Sequence, residues 1–244
     1  MDLGLNGLNV LVTGGTSGIG AAIVERFAQE GANVAFCSRS PEKVDRMLER
    51  LSRYPVEVTG KPLDVTDTDA FIAWAQTLNG PDIFVPNVSA LSSDWDASLA
   101  TDLEATVRAT EALVPRLRTS ATPAITYIGS KAGSFGTPHF ESYGAVKAAM
   151  THYMKSLARR LAAEGVRVNT VSPGDIFVTD GFWDNMRRNR PEVYQKTLDA
   201  NPLGRLGTPE EIANVVVFLS SPAAGFVSGA NLLADGASTL HVHG

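Results

Sequence analysis

The sequence predicts an α/β protein, a single-domain, doubly wound parallel sheet of about seven strands with helices on both faces. Two patterns carry this expectation. Short β-branched apolar runs alternate with longer segments of helical period, and the first run leads straight into a glycine-rich turn that opens a helix. Size agrees with both: 244 residues, 44% of them hydrophobic, suit one domain over 1–244 with ample material for a core.

Each element follows from its residues. Apolar runs at 8–13, 33–37, 56–60, 82–86, 124–128, 167–172 and 231–234 read as strands. Helices are expected between them at 19–30, 42–53, 67–78, 96–119, 142–164 and 208–220. In the first, Ile19, Ile23 and Phe27 recur at four-residue steps; in the last, Ile212, Val215, Val216 and Leu219 mark one apolar face. Thr208-Pro209-Glu210-Glu211 opens that last helix with a hydroxyl cap, a proline at the first helical position and acids in the first turn. Strands this apolar need cover on both faces, which implies right-handed crossovers and a ligand site beyond their carboxyl ends. The polar, Arg- and aromatic-rich stretch 180–205 breaks the alternation and reads as an inserted substrate lid.

Charge and composition narrow the function. With 21 basic against 26 acidic side chains, for a formal net charge of −5, the chain is no strongly basic nucleic-acid binder and has no evident attraction to anionic lipid. No apolar run reaches the ~20 residues of a membrane span, and Met1-Asp2-Leu3-Gly4 lacks the layout of a secretory signal. The single cysteine, Cys37, excludes an intrachain disulfide and fits a reducing compartment. A cytoplasmic protein is expected, without nucleic-acid or membrane partners.

Thr13-Gly14-Gly15-Thr16-Ser17-Gly18-Ile19-Gly20 joins the first strand to the first helix. Such a turn brings backbone close to a pyrophosphate and presents the free N–H groups and dipole of a helix N-terminus to an anion. About twenty residues on, an acid would accept the adenosine 2′-hydroxyl, whereas Arg would accept a 2′-phosphate. Here the residues are Phe36-Cys37-Ser38-Arg39-Ser40, so NADP(H) is preferred, with NAD(H) the alternative.

Tyr143 and Lys147, at i and i+4, share one face of a helix start. A phenol is a poor base at neutral pH, and an adjacent ammonium favours its ionised form. Ser130 ends the fifth strand, at the sheet edge where the nicotinamide is expected.

With these residues assembled, the chain resembles the short-chain dehydrogenase/reductase family, of Rossmann fold, over essentially its whole length. The resemblance rests on the TGGTSGIG turn, Asp64-Val65, the serine of Ile128-Gly129-Ser130, Tyr143-Gly144-Ala145-Val146-Lys147, Val171-Ser172-Pro173-Gly174, and the tail segments Pro202–Arg205, Pro209–Glu211 and Asp235–Ala237. It implies that Tyr143 exchanges the proton, that Lys147 binds the nicotinamide ribose and tunes the phenol, and that Ser130 holds the substrate oxygen. It also implies a cofactor cleft formed by the glycine turn, Ser38, Arg39, Asp64, Val65, Asn87, Pro173, Gly174 and Ile176 with Tyr143 and Lys147, and a homotetramer, or a dimer, built through the helices at 96–119 and 142–164.

Two departures stand out. Where the family has Asn-Asn-Ala-Gly after the fourth strand, this chain has Pro86-Asn87-Val88-Ser89, and only Asn87 survives. Where the family has a relay asparagine, the aligned residue is Asp102. An ionised carboxylate cannot donate a hydrogen bond and opposes a phenolate, so an alkaline optimum for alcohol oxidation is expected.

The substrate would be a small alcohol or carbonyl compound. Leu91, Phe135, His139, Phe140, Phe177, Phe182 and Trp183 are the candidate contacts, with Trp95, Met186 and Tyr194 nearby in sequence. They suit a cyclic or aryl-substituted molecule. Arg187, Arg188 and Arg190 read first as a solvated or subunit-contacting face and second as an anion site. His241 and His243 are too few for a structural metal, and none is expected. A 3-oxoacyl-carrier-protein reductase and a non-catalytic dinucleotide sensor are the competing readings, with a cofactor-free lyase or dehalogenase behind them.

Overall fold

The computed structural model describes residues 1–240, so His241 and His243 lie outside the described residues. Seven strands are present: β1 (Asn9–Thr13), β2 (Asn33–Ser38), β3 (Val58–Pro62), β4 (Ile83–Val85), β5 (Ala124–Ile128), β6 (Arg167–Pro173) and β7 (Asn231–Ala234). All pair in parallel, in the order β3-β2-β1-β4-β5-β6-β7. The strand order reverses between β1 and β4, and this opens a crevice at their carboxyl ends.

One face of the sheet is covered by α1 (Gly18–Gln29), α2 (Pro41–Leu51) and α9 (Pro209–Ser220), packed through Ile23, Val24, Phe27, Ile212, Val216 and Leu219. The other is covered by α3 (Thr68–Thr77), α5 (Thr106–Leu117) and α6 (Glu141–Leu161), packed through Phe71, Leu113, Met150, Met154 and Leu157. The start of α9 forms as its sequence requires. Thr208 caps Glu211, whose carboxylate returns the bond to the Thr208 N–H at 2.9 Å.

Two expectations are corrected. The third strand runs two residues later than 56–60, because a turn closing from Tyr54 to Val56 occupies the start of that run. As an edge strand β3 tolerates Pro62, whose missing N–H costs no ladder bond. The helix expected at 96–119 is interrupted: α4 (Trp95–Ser98) passes into a π-helical stretch, Leu99–Ala105, before α5 begins. Such wide turns recur at functional sites, and this one carries Asp102. The stretch 180–205 contains two helices, α7 (Phe182–Asn189) and α8 (Pro191–Ala200).

Among the described residues no helix is long and apolar enough to cross a membrane, and no cluster of His, Cys, Asp and Glu could hold a metal ion.

Candidate active site

A cleft of about 720 Å³ opens over the carboxyl ends of β1, β2, β4, β5 and β6. Its floor is the turn from β1 into α1. Gly14 has φ +72° and Gly18 φ +51°, a left-handed backbone that favours glycine. A Cβ on Gly20 would lie 2.1 Å from the Gly14 carbonyl oxygen, so the turn closes this tightly only without a side chain there. Ser17 caps α1 in extended conformation and its side chain makes no cap bond. The first N–H groups of α1 therefore face the cleft without a side-chain acceptor, the condition for binding a pyrophosphate.

The turn is braced from β4. The Asn87 amide donates to the carbonyls of Thr13 at 3.0 Å and Gly14 at 3.2 Å, while Thr13 Oγ1 accepts the Asn87 N–H at 3.0 Å. Thr13 is thus buried beneath the cleft and, like Gly15, does not line it, whereas the rest of the expected cofactor set does. Thr16 Oγ1 donates to Ser38 Oγ at 2.8 Å and ties the glycine turn to the end of β2. Arg39, next in the chain, is exposed at the rim, and no carboxylate of the described residues lies within salt-bridge distance of it. Val88, the first residue of the departure after Asn87, packs against Gly14: a Cβ on Gly14 would meet its Cγ2 at 2.9 Å.

Ser130, Tyr143 and Lys147 line one wall of this cleft. Ser130 follows β5 and caps the short 3₁₀ turn Lys131–Ser134, its Oγ accepting the Ala132 N–H at 3.1 Å. That bond occupies a lone pair and leaves the hydroxyl proton for the cleft. Tyr143 and Lys147 lie in the first two turns of α6, whose N-terminal residue Phe140 supplies no side-chain cap.

Lys147 is only 2% exposed. Its ammonium donates to Tyr127 Oη and to the Ile128 carbonyl, each at 3.1 Å, and lies 3.3 Å from Asp102 Oδ1. Burial works against its charge, but Tyr127, Tyr143 and Asp102 around it hold the lysine above its ordinary range, so it is an ammonium at neutral pH. Asp102 does not line the cleft; it stands behind the wall, where Oδ2 accepts the Ala90 N–H at 2.8 Å. One carboxylate oxygen therefore anchors the loop after β4 while the other faces Lys147. The tie from Asp102 to Ala90 has no signature in the sequence.

Of the expected substrate contacts, Leu91, Phe182 and Trp183 line the cleft. Phe140 stands behind them, edge-on to Phe182 at 6.1 Å between centroids, and Phe182 meets Trp183 at 5.1 Å. Phe135, His139 and Phe177 lie outside the lining: Phe135 is exposed, and the Phe177 ring is covered by the Arg187 guanidinium at 5.1 Å. The expected basic cluster is internally neutralised. Arg187 and Arg188 pair with buried Asp184, Arg188 also with Asp180, and Arg190 with Glu192. Ser89, singled out with Val88 as a departure, lines the cleft, whereas Ala90, Ser92, Thr101 and Val178 in the lining, and Tyr127 behind it, were not expected. Loop residues of this kind carry no periodic signal, and Tyr127 reads as one more buried strand aromatic.

Comparison with known proteins agrees with this geometry. A family model described as Enoyl-(Acyl carrier protein) reductase matches residues 14–239. The chain is 36% identical to isoepoxydon dehydrogenase patN of Penicillium expansum, over 99% of this chain and 98% of that protein. L-sorbose reductase from Gluconobacter frateurii, solved with NADPH and L-sorbose, superposes with a TM-score of 0.90 at 29% identity, covering 99% of this chain and 100% of that one. A 7α-hydroxysteroid dehydrogenase solved with NADH and 7-oxo glycochenodeoxycholic acid also superposes with a TM-score of 0.90, at 27% identity over 99% and 98% of the two chains. The chain belongs to the short-chain dehydrogenase/reductase family and is an NAD(P)-dependent oxidoreductase acting on CH–OH or carbonyl groups.

Proposed function

We propose that the protein interconverts a secondary alcohol and its ketone or aldehyde with NADP(H), with Tyr143 as general acid–base. The observation that carries this reading is the placement of Ser130, Tyr143 and Lys147 on one wall of a cleft whose floor is a glycine turn and a helix N-terminus without a side-chain cap. The cofactor, when bound, supplies or accepts the hydride. The α1 N-terminus would hold its pyrophosphate, Lys147 the nicotinamide ribose, and Asp64 and Val65 the adenine. Arg39, exposed at the rim, supports a 2′-phosphate over a 2′-hydroxyl. Ser130 donates its free proton to the substrate oxygen, and Tyr143 gives that oxygen a proton in reduction or takes one in oxidation. Lys147 stands on the same wall, its ammonium 5.7 Å from the centre of the Tyr143 ring.

The lining suits a compact substrate with an apolar face. Leu91, Phe182 and Trp183 bound its end of the cleft, and the similarity to an isoepoxydon dehydrogenase supports a cyclic, oxygenated alcohol or enone. α7 and α8 act as the lid. The working form is a homotetramer in the cytoplasm, the latter resting on a single, fully buried thiol, Cys37, which burial pushes up to about 12.

The test is a panel of cyclic secondary alcohols and ketones, followed by absorbance of the reduced nicotinamide. Turnover should favour NADP(H), Tyr143→Phe should lose at least about 100-fold in kcat, and Arg39→Ala should weaken NADPH binding about tenfold while sparing NADH. No turnover with either cofactor would overturn the reading of an enzyme. Equal loss of both cofactors in Arg39→Ala would overturn the NADP(H) preference.

A further inference from the structure

Lys147 contacts its counter-ion without a directed hydrogen bond to it. Its ammonium, almost wholly buried at the cleft wall, has three oxygens around it: Tyr127 Oη, the Ile128 carbonyl and Asp102 Oδ1. In a dry site an ammonium is drawn far more strongly to a carboxylate than to a neutral hydroxyl. Yet Asp102 Oδ1, buried, accepts no directed hydrogen bond from the described residues, while the two neutral oxygens do. The carboxylate is itself tethered, because its other oxygen holds the Ala90 N–H. The ammonium lies between two phenol rings, 5.0 Å from the Tyr127 centroid and 5.7 Å from that of Tyr143. The Ile128 carbonyl belongs to β5 and cannot be exchanged by mutation, so among the described residues Tyr127 is the one side chain that accepts a directed hydrogen bond from the ammonium.

We propose that Tyr127 is a positioning residue of the reaction, its hydroxyl holding Lys147 off Asp102 and on the Tyr143 side of the cleft. The proposal deepens the reading of Tyr143 and Lys147 as the acid–base pair and rests on it. The ionisable groups facing the ammonium are Tyr127 from β5, Tyr143 from α6 and Asp102 from the π-helical stretch. Without the Tyr127 hydroxyl, the lysine closes on the carboxylate. Its field at Tyr143 then falls, and so does its reach toward the ribose.

The test is a double-mutant cycle of Tyr127→Phe and Asp102→Asn, read by steady-state kinetics, by NADPH affinity from fluorescence, and by Tm. Tyr127→Phe alone should lower kcat about tenfold and weaken NADPH binding several-fold. It should also move the acid limb of alcohol oxidation to higher pH by about one unit, with substrate KM little changed. In the Asp102→Asn background there is no carboxylate to close on, and the same substitution should change kcat and NADPH affinity less than twofold. The comparison within that background also serves if Tyr127→Phe alone folds poorly, and a tenfold loss there overturns the proposal. An unshifted pH profile with unchanged NADPH affinity overturns it too, as does a loss confined to Tm. NADPH binding needs no turnover, so the cycle judges Tyr127 even if no substrate in the panel is converted, an outcome that would fall on the proposed function instead.

Discussion

Asp102 shows how one substitution at a buried position reorganises a site. An asparagine there can offer an oxygen to the Ala90 N–H, but its amide would then face the Lys147 ammonium, donor against donor. The carboxylate accepts the Ala90 N–H through one oxygen and offers the other to the ammonium, 3.3 Å away, as an opposite charge. Its cost is electrostatic: a negative charge behind the wall opposes a phenolate on it and draws the lysine inward. Asp102→Asn is therefore expected to move the acid limb of alcohol oxidation to lower pH by about one unit. Coincident pH–rate profiles for the two enzymes would refute this. Tyr127 remains a neutral phenol throughout, because burial pushes its ionisation up while Lys147 acts in the opposite direction.

α7, proposed above as part of the lid, is braced from within by a carboxylate. Asp184 is buried, accepts the Asp180 N–H at 2.9 Å, and pairs with Arg187 and Arg188. Asp180 holds φ +59°, a left-handed backbone uncommon outside glycine, at the hinge where the chain enters α7. Arg188 first, and the Asp180 N–H second, hold the Asp184 carboxyl down to about 2 from an ordinary value of 3.8. A lowered carboxyl stabilises the folded lid fully above its ordinary value and loses that contribution as pH falls from 3.8 through about 2. The lid should thus be insensitive to pH near neutrality and loosen only in strong acid. Asp184→Asn should reproduce the acid form at neutral pH, with faster proteolysis within 180–205 and substrate KM raised several-fold at unchanged NADPH affinity. Equal proteolysis of the two forms would show that the ion pairs do not hold the lid.

Considered as a whole, the molecule places two cores against one sheet and leaves the outer faces of α5 and α6 to solvent at Arg108, Ala145, Ala148, Ala149 and His152. Small side chains on α6 allow close approach of another helix, which fits the expected homotetramer. Light scattering on the purified protein should give four times the 25.9 kDa chain mass, and Ala149→Arg should lower it. A monomeric mass for the unmodified chain would remove the α5–α6 face as an interface.

The division between sequence and tertiary structure follows from the range of the forces involved. Periodicity, caps and glycine turns are local, so the strand–helix alternation, the α9 capping box and the turn from β1 into α1 could be read directly, as could Ser130, Tyr143 and Lys147 from the family resemblance. The π-helical stretch, the two-residue shift of β3 and the self-neutralised arginines of α7 could not, because each depends on which distant groups arrive beside them. The same holds for the site's electrostatics. Six oxygens and nitrogens from β5, α6, the loop after β4 and the π-helical stretch meet where Asp102 approaches Lys147, and a buried charge takes its properties from whatever surrounds it in space.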